Sequence, residues 1–255
     1  MNVDLKLGLA LITAHLLADF VFQSNKDVEN KKKPAVLGKH ALLAAGLSYL
    51  LAGDWQAWPV PAVIGLTHFL IDRVNAGLKQ NSLRVFLLDQ AAHLAVITVM
   101  AWLSPTVFPV VSEWVSLWGA GFTKALVIMA GLILTTQVGG VVVGIEVQPY
   151  LVDLTKPKGQ ENQSIIAAKK EAQRGLMKGG RVIGQSERGL IFFLAMIGKP
   201  EAVAFLIAAK SIFRFGELND REHRAEAEYI TIGTLMSFTW GLVAAWGTWW
   251  LASHL

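Results

Sequence analysis

The sequence predicts an all-α fold, a polytopic bundle of transmembrane helices with about eight hydrophobic segments and both termini outside. Three observations predict it. Of the 255 residues, 53% are hydrophobic and only 16% charged, where a soluble domain carries about 25% charged residues. Residues 121–145 hold one charge, Lys124, and residues 229–251 hold none; a run of about 20 apolar residues spans roughly 30 Å of hydrocarbon. Lys and Arg, finally, collect in alternate loops, as the positive-inside rule requires.

The segments run over 5–22, 40–52, 60–71, 85–103, 121–145, 187–197, 202–213 and 229–251. The first carries His15 and Asp19 and lacks a small-residue cleavage site, so it reads as a membrane helix and not as a signal peptide. The first, fourth, fifth and eighth are long enough to cross. The other four are short, since twelve residues of helix rise only about 18 Å. They come in adjacent pairs and either cross or dip re-entrantly. The order long, short, short, long occurs twice, which suggests two similar halves, 1–120 and 121–255, as transporters often show. The second half includes a basic loop, 146–186, in which 161–178 reads as an amphipathic helix lying on a membrane surface. Gly179, Gly180 and Gly184 after it read as a hinge, with a phosphate cradle before the helix at 187 as the sharper alternative.

Basic residues fix the expected orientation. Lys26, Lys31, Lys32, Lys33 and Lys39 follow the first segment, and Arg73, Lys79 and Arg84 follow the third. The 146–186 loop and Arg214, Arg221 and Arg224 continue the pattern, while the other side has little beyond Lys6, Lys124 and Lys199. The basic loops therefore face the cytoplasm. The net charge of +4 and the pI near 9.3 express topology, some of it directed at anionic lipid, and no nucleic-acid partner is expected. The chain has no Cys, which excludes disulfides and thiolate metal sites. Tryptophans such as Trp55, Trp58, Trp102, Trp114, Trp118, Trp249 and Trp250 read as interfacial anchors.

Ionisable residues inside membrane segments are costly and mark function. Three pairs recur at i, i+4, which places both members on one helical face: His15 and Asp19, His68 and Asp72, Asp89 and His93. His40 opens the second segment. Given alternating helix directions, all seven fall within about two turns of the same interface. Imidazole and carboxylate are ligands for Zn, Mn or Fe, and seven of them suit one divalent ion or a two-metal centre that activates water and clamps a phosphoryl group. The bland alternative is a set of interhelical His–Asp hydrogen bonds and ion pairs without metal. Gln23, one turn beyond Asp19, reads as a supporting or an interfacial residue.

In the second half, Glu187 and Arg188, then Lys210 and Arg214, then Tyr229, Thr234 and Ser237 fall at the same side. Lys210 and Arg214 are i, i+4 and repel unless an anion or a carboxylate lies between them. Glu187 could be that carboxylate, giving a structural ion-pair network. An anionic group held by Lys210, Arg214 and Arg188, with Glu187 and Tyr229 in supporting or acid–base roles, is the other reading. Thr135, Thr136 and Gln137 read as helix-bridging polar groups.

The stretch from His15 through Asp19 to Gln23, with His40, then His68 to Asp72 and Asp89 to His93, resembles the DUF3307 family of bacterial membrane proteins. The stretches 183–188, 209–215 and 228–234 resemble its longer members. The resemblance implies a bacterial inner-membrane location and supplies no reaction. The reading is a membrane-embedded, metal-dependent hydrolase or transferase acting at the cytoplasmic face on an anionic substrate, a phosphorylated small molecule or a lipid. A transporter of a metal ion or small anion, and a non-catalytic membrane scaffold or sensor, are the alternatives.

Overall fold

The computed structural model describes residues 4–78, 82–155, 179–218 and 224–255. Every regular element among them is helical. The chain packs as two compact units, residues 1–134 with 248–255, and residues 135–247.

In the first unit, α1 (Leu5–Leu17) is capped by Asp4, whose carboxylate accepts from the Leu7 amide at 3.0 Å. It continues into a π-turn, Ala18–Phe22. A short α2 (Asn25–Glu29) follows, closed by a reciprocal capping box between Ser24 and Asp27. α3 (Pro34–Ala52) starts with Pro at its first position, where a missing N–H costs nothing. It ends on Gly53, whose φ of +66° is the left-handed cap conformation glycine adopts freely. α4 (Pro59–Asn75), α5 (Leu83–Leu103), α6 (Glu113–Trp118) and α7 (Ala120–Ile133) complete the unit.

Helix α1 packs against α3, α5 and α7, while α4 packs against α3 and α5. Away from the basic loops the helices close on an apolar core of Leu7, Leu11, Val60, Ile64, Ile97 and Met100. The loops at that end are braced by side chains. Asp54 accepts from the Val111 amide at 2.8 Å, the Trp114 indole donates to the Leu50 carbonyl at 2.7 Å, and the Trp55 indole donates to Glu113 at 2.9 Å.

The second unit starts at a π-turn, Leu134–Val138, and holds α8 (Gly139–Thr155), α9 (Gly179–Met196), a 3₁₀ turn (Pro200–Ala202), α10 (Val203–Leu218) and most of α11 (Arg224–Ser253). Ile191, Phe192, Ala195, Val203, Phe238 and Ala245 form its core.

Among the described residues, five helical stretches are long and apolar enough to cross a membrane: Leu5–Phe22, Pro34–Ala52, Leu83–Leu103, Ala120–Tyr150 and Glu228–Ser253. The expected short segment at 40–52 is corrected here. The helix starts six residues earlier, runs 19 residues and rises about 28 Å. The segment at 60–71 lies within a helix of 17 residues, and those at 187–197 and 202–213 overlap, all but one residue each, helices of 18 and 16 residues. Hydropathy ended the 60–71 segment at Asp72, whereas α4 continues through it because that carboxylate meets Lys31 and His40 inside the unit. Gly179, Gly180 and Gly184 are also helical, inside α9, so neither a hinge nor a cradle before residue 187 is present. The division at 120 rested on hydropathy; by packing, α7 sits with the first unit through its contact with α1. The expected helix at 161–178 lies outside the described residues.

Candidate metal centre

Four helices of the first unit each bring polar groups to one place. His15, His40, His68, Asp72 and His93 are all buried, Asp72 completely. They come from α1, α3, α4 and α5. The i, i+4 spacing accounts for the pairing within each helix, and alternating helix direction accounts for the common depth.

The tightest part is a triangle. His40 Nε2 lies 3.2 Å from Asp19 Oδ1, His68 Nε2 lies 3.3 Å from the same oxygen, and the two imidazole nitrogens are 3.0 Å apart. Asp72 Oδ2 stands 3.6 Å from His40 Nε2 and 3.8 Å from His68 Nε2. Ligands about 2.0–2.2 Å from a tetrahedral ion stand about 3.3–3.6 Å from one another, and somewhat closer around an octahedral one. The triangle has those edges. Asp19 reaches it from the π-turn of α1, where the extra residue in the turn turns its carboxylate toward α3 and α4; its distance to His15 Nδ1, on its own helix, is 3.8 Å. Such turns recur at functional sites.

A second group adjoins the first. His15, His68 and His93 offer ligand atoms within 4.8 Å of one another. The His15 and His93 rings stack with centroids 4.8 Å apart, and His68 and His93 approach to 4.3 Å. Asp89 belongs to neither group of mutually close ligand atoms. Its Oδ2 accepts from the Gln90 amide at 3.1 Å, and its backbone carbonyl lies 2.9 Å from His93 Nδ1. Gln23 joins neither group; its amide nitrogen is buried and has no hydrogen-bond partner.

Two residues that the sequence did not single out complete the surroundings. Lys31, from the turn after α2, places its ammonium 3.2 Å from Asp72 Oδ1. Nothing in the run Lys31-Lys32-Lys33 distinguishes it. Gln90 contacts His15 Nε2 at 3.1 Å; its signal was an amide inside an apolar helix, beside a carboxylate.

Hydrogen bonds alone do not satisfy this cluster. His15 Nδ1, His93 Nε2, Asp72 Oδ2 and Asp89 Oδ1 are buried without a hydrogen-bond partner, whereas nearly all buried polar atoms in native proteins have one. Imidazole and carboxylate lone pairs converging this closely are a donor set for a divalent cation.

In the second unit the polar residues pair among themselves. Lys210 donates to Glu187 at 2.7 Å, and its ammonium lies 5.5 Å from the centre of the Phe238 ring. The carboxylate partner is therefore present, as one of the two readings expected. Arg188 is buried and donates to the Thr136 carbonyl at 2.9 and 3.2 Å and to the Ser237 hydroxyl at 2.8 Å. That carbonyl sits in the π-turn. Gly140 and Gly184 leave room for the guanidinium, since a Cβ at either would come within 3.1 Å of it, and Gly139 leaves room for the Trp240 ring and the Arg188 stem. Gln185 donates to Gln137 at 2.7 Å. Tyr229 is half-buried in α11, and the Arg214 side chain lies outside what is described.

An all-helical chain, among the described residues, with five helices long and apolar enough to cross a membrane and a buried His/Asp cluster in its first unit, is thus the class that fold and site define. Residues 7–121 match the family model described as a protein of unknown function, DUF3307, which confirms the resemblance over that stretch. All seven cluster residues fall inside the match, and the stretches 183–188, 209–215 and 228–234 fall beyond it. No curated protein and no solved structure matches the chain.

Proposed function

We propose that the chain is a metal-dependent hydrolase or transferase of the bacterial inner membrane, with its centre at the cytoplasmic face, acting on an anionic, phosphorylated or lipid, substrate. The single observation that carries the metal is the triangle of Asp19, His40 and His68 ligand atoms at 3.0–3.3 Å, beside Asp72. Charge supports it. Asp19, Asp72 and Asp89, when ionised, face one ammonium, Lys31, and so leave two negative charges among neutral imidazoles. One divalent ion neutralises them, where an unpaired buried charge is strongly unfavourable.

Asp19, His40, His68 and Asp72 hold the ion, which supplies Lewis acidity and a lowered pKa for a bound water. Asp89, outside both ligand groups, carries a carboxylate oxygen with no hydrogen-bond partner and is the general base. Lys210 and Arg188 already have partners, so the exposed Lys32 and Lys33 at the mouth of the first unit are better placed to attract an anion. Transport of a metal ion or small anion has less support, because the helices beyond His15 and His93 close on Leu11, Ile64 and Ile97.

Elemental analysis of detergent-purified protein tests the reading. The wild type should carry at least one ion of Zn, Mn or Fe per chain, and the double variant His68→Ala/Asp72→Ala should carry almost none. Wild-type protein that stays metal-free after reconstitution with each ion rules the reading out.

A further inference from the structure

We infer that the first unit holds a second, weaker metal subsite, formed by His15 and His93 beside His68, and that its open positions face a water-sized cavity. The inference rests on the metal reading above and adds to it which atoms take the second ion and why that ion matters for an anionic substrate.

Tautomers carry the case. The Gln90 amide nitrogen donates to Asp89 Oδ2, so the Gln90 oxygen faces His15 Nε2. An oxygen accepts, so His15 bears its proton on Nε2 and its lone pair on Nδ1. The Asp89 carbonyl faces His93 Nδ1, so His93 bears its proton there and its lone pair on Nε2. Those two lone-pair atoms, His15 Nδ1 and His93 Nε2, are among the buried atoms without a hydrogen-bond partner. A ligating imidazole that donates its other N–H to a carbonyl or amide oxygen is the usual second layer of a metal site.

The two subsites differ in chemistry. The first offers two carboxylates, whereas the second offers only neutral imidazoles, so it binds more weakly and favours ions that accept nitrogen. His68 Nε2 already faces Asp19 and His40 in the first subsite, and a neutral imidazole has one lone pair, so His15 and His93 hold the second ion and leave its remaining positions to water. A cavity of about 10 Å³ adjoins His15, His68 and His93, lined further by Ser48, Thr67 and Ile64. That is about the space one water needs. With the first ion the centre is neutral; the second makes it cationic, which a hydroxide and one anionic group of the substrate would then balance.

Equilibrium dialysis of chelator-stripped, full-length protein against Co²⁺ tests this. Wild type should bind two ions in a tighter and a weaker class, and His15→Ala/His93→Ala should keep the tighter class alone. His93→Gln, which preserves volume and polarity, should also lose only the weaker class, and this guards against a variant that fails to fold. One ion in the wild type, or two retained in either variant, overturns the subsite and leaves the first ion standing. No ion in the wild type overturns both.

Discussion

Lys31 shows how much a single side chain can decide. Lys32 and Lys33 stay exposed, while Lys31 turns inward to the fully buried Asp72. Removing one partner of a buried pair leaves an uncompensated charge, a loss of about 3 kcal/mol or more. Lys31→Met should therefore lower the unfolding midpoint of metal-free protein, followed by thermal denaturation in detergent. Saturating metal should restore much of that loss, because a cation then neutralises Asp72 from the other side. An equal loss with and without metal would separate Asp72 from the ion. The histidines and aspartates were legible in the sequence because a titratable group in an apolar run is conspicuous. Lys31 and Gln90 were not, since a lysine among lysines and an amide beside a carboxylate acquire their roles only through helices distant in sequence. Asp89 was legible as a cluster member, but spacing does not separate a ligand from a neighbouring carboxylate that binds Gln90.

At the scale of elements, α2 leads into the turn that carries Lys31, and its cap is titratable. The Ser24 hydroxyl and amide both donate to Asp27 and hold its carboxyl below the ordinary value of 3.8. A depressed folded-state pKa means that stability is present above the unfolded value and is lost as pH falls through the folded one. Hydrogen exchange of α2 amides should stay slow, relative to an Asp27→Ala variant, near neutral pH, and that difference should vanish in acid below the Asp27 range. At the other end of α3, Gly53→Ala forces φ +66° on an L-residue and drives a Cβ into the Trp114 ring. The conformational part alone costs about 1–2 kcal/mol, so the variant should melt earlier, with α3 still helical by circular dichroism. Hydropathy located the long apolar helices but not the short α2 and α6, and it misplaced several ends. Pro34, Gly53 and the capping box are better boundary marks than the last apolar residue.

For the whole molecule, the orientation proposed from the basic loops is open to a direct check because the chain has no native Cys. Lys32→Cys should react with a membrane-impermeant maleimide only from the cytoplasmic side of sealed vesicles, and Trp58→Cys only from the opposite side. Both residues are exposed. Reaction of both from one side would invert or break the proposed topology. The π-turn at Ala18–Phe22 has a consequence of this same reach. It is in effect a one-residue insertion that the helix has absorbed without breaking. Deleting one of the residues beside Asp19 in this turn would let α1 close into a regular helix, with the chain on either side keeping nearly its place, because the bulge alone had taken up the extra residue. Asp19, which lies inside the bulge, would lose the backbone turn that aims it at its two imidazoles. The shortened chain would be a more regular helix and a poorer ligand for cobalt, so reading-frame-preserving deletions here should be far more damaging than most substitutions at the same positions.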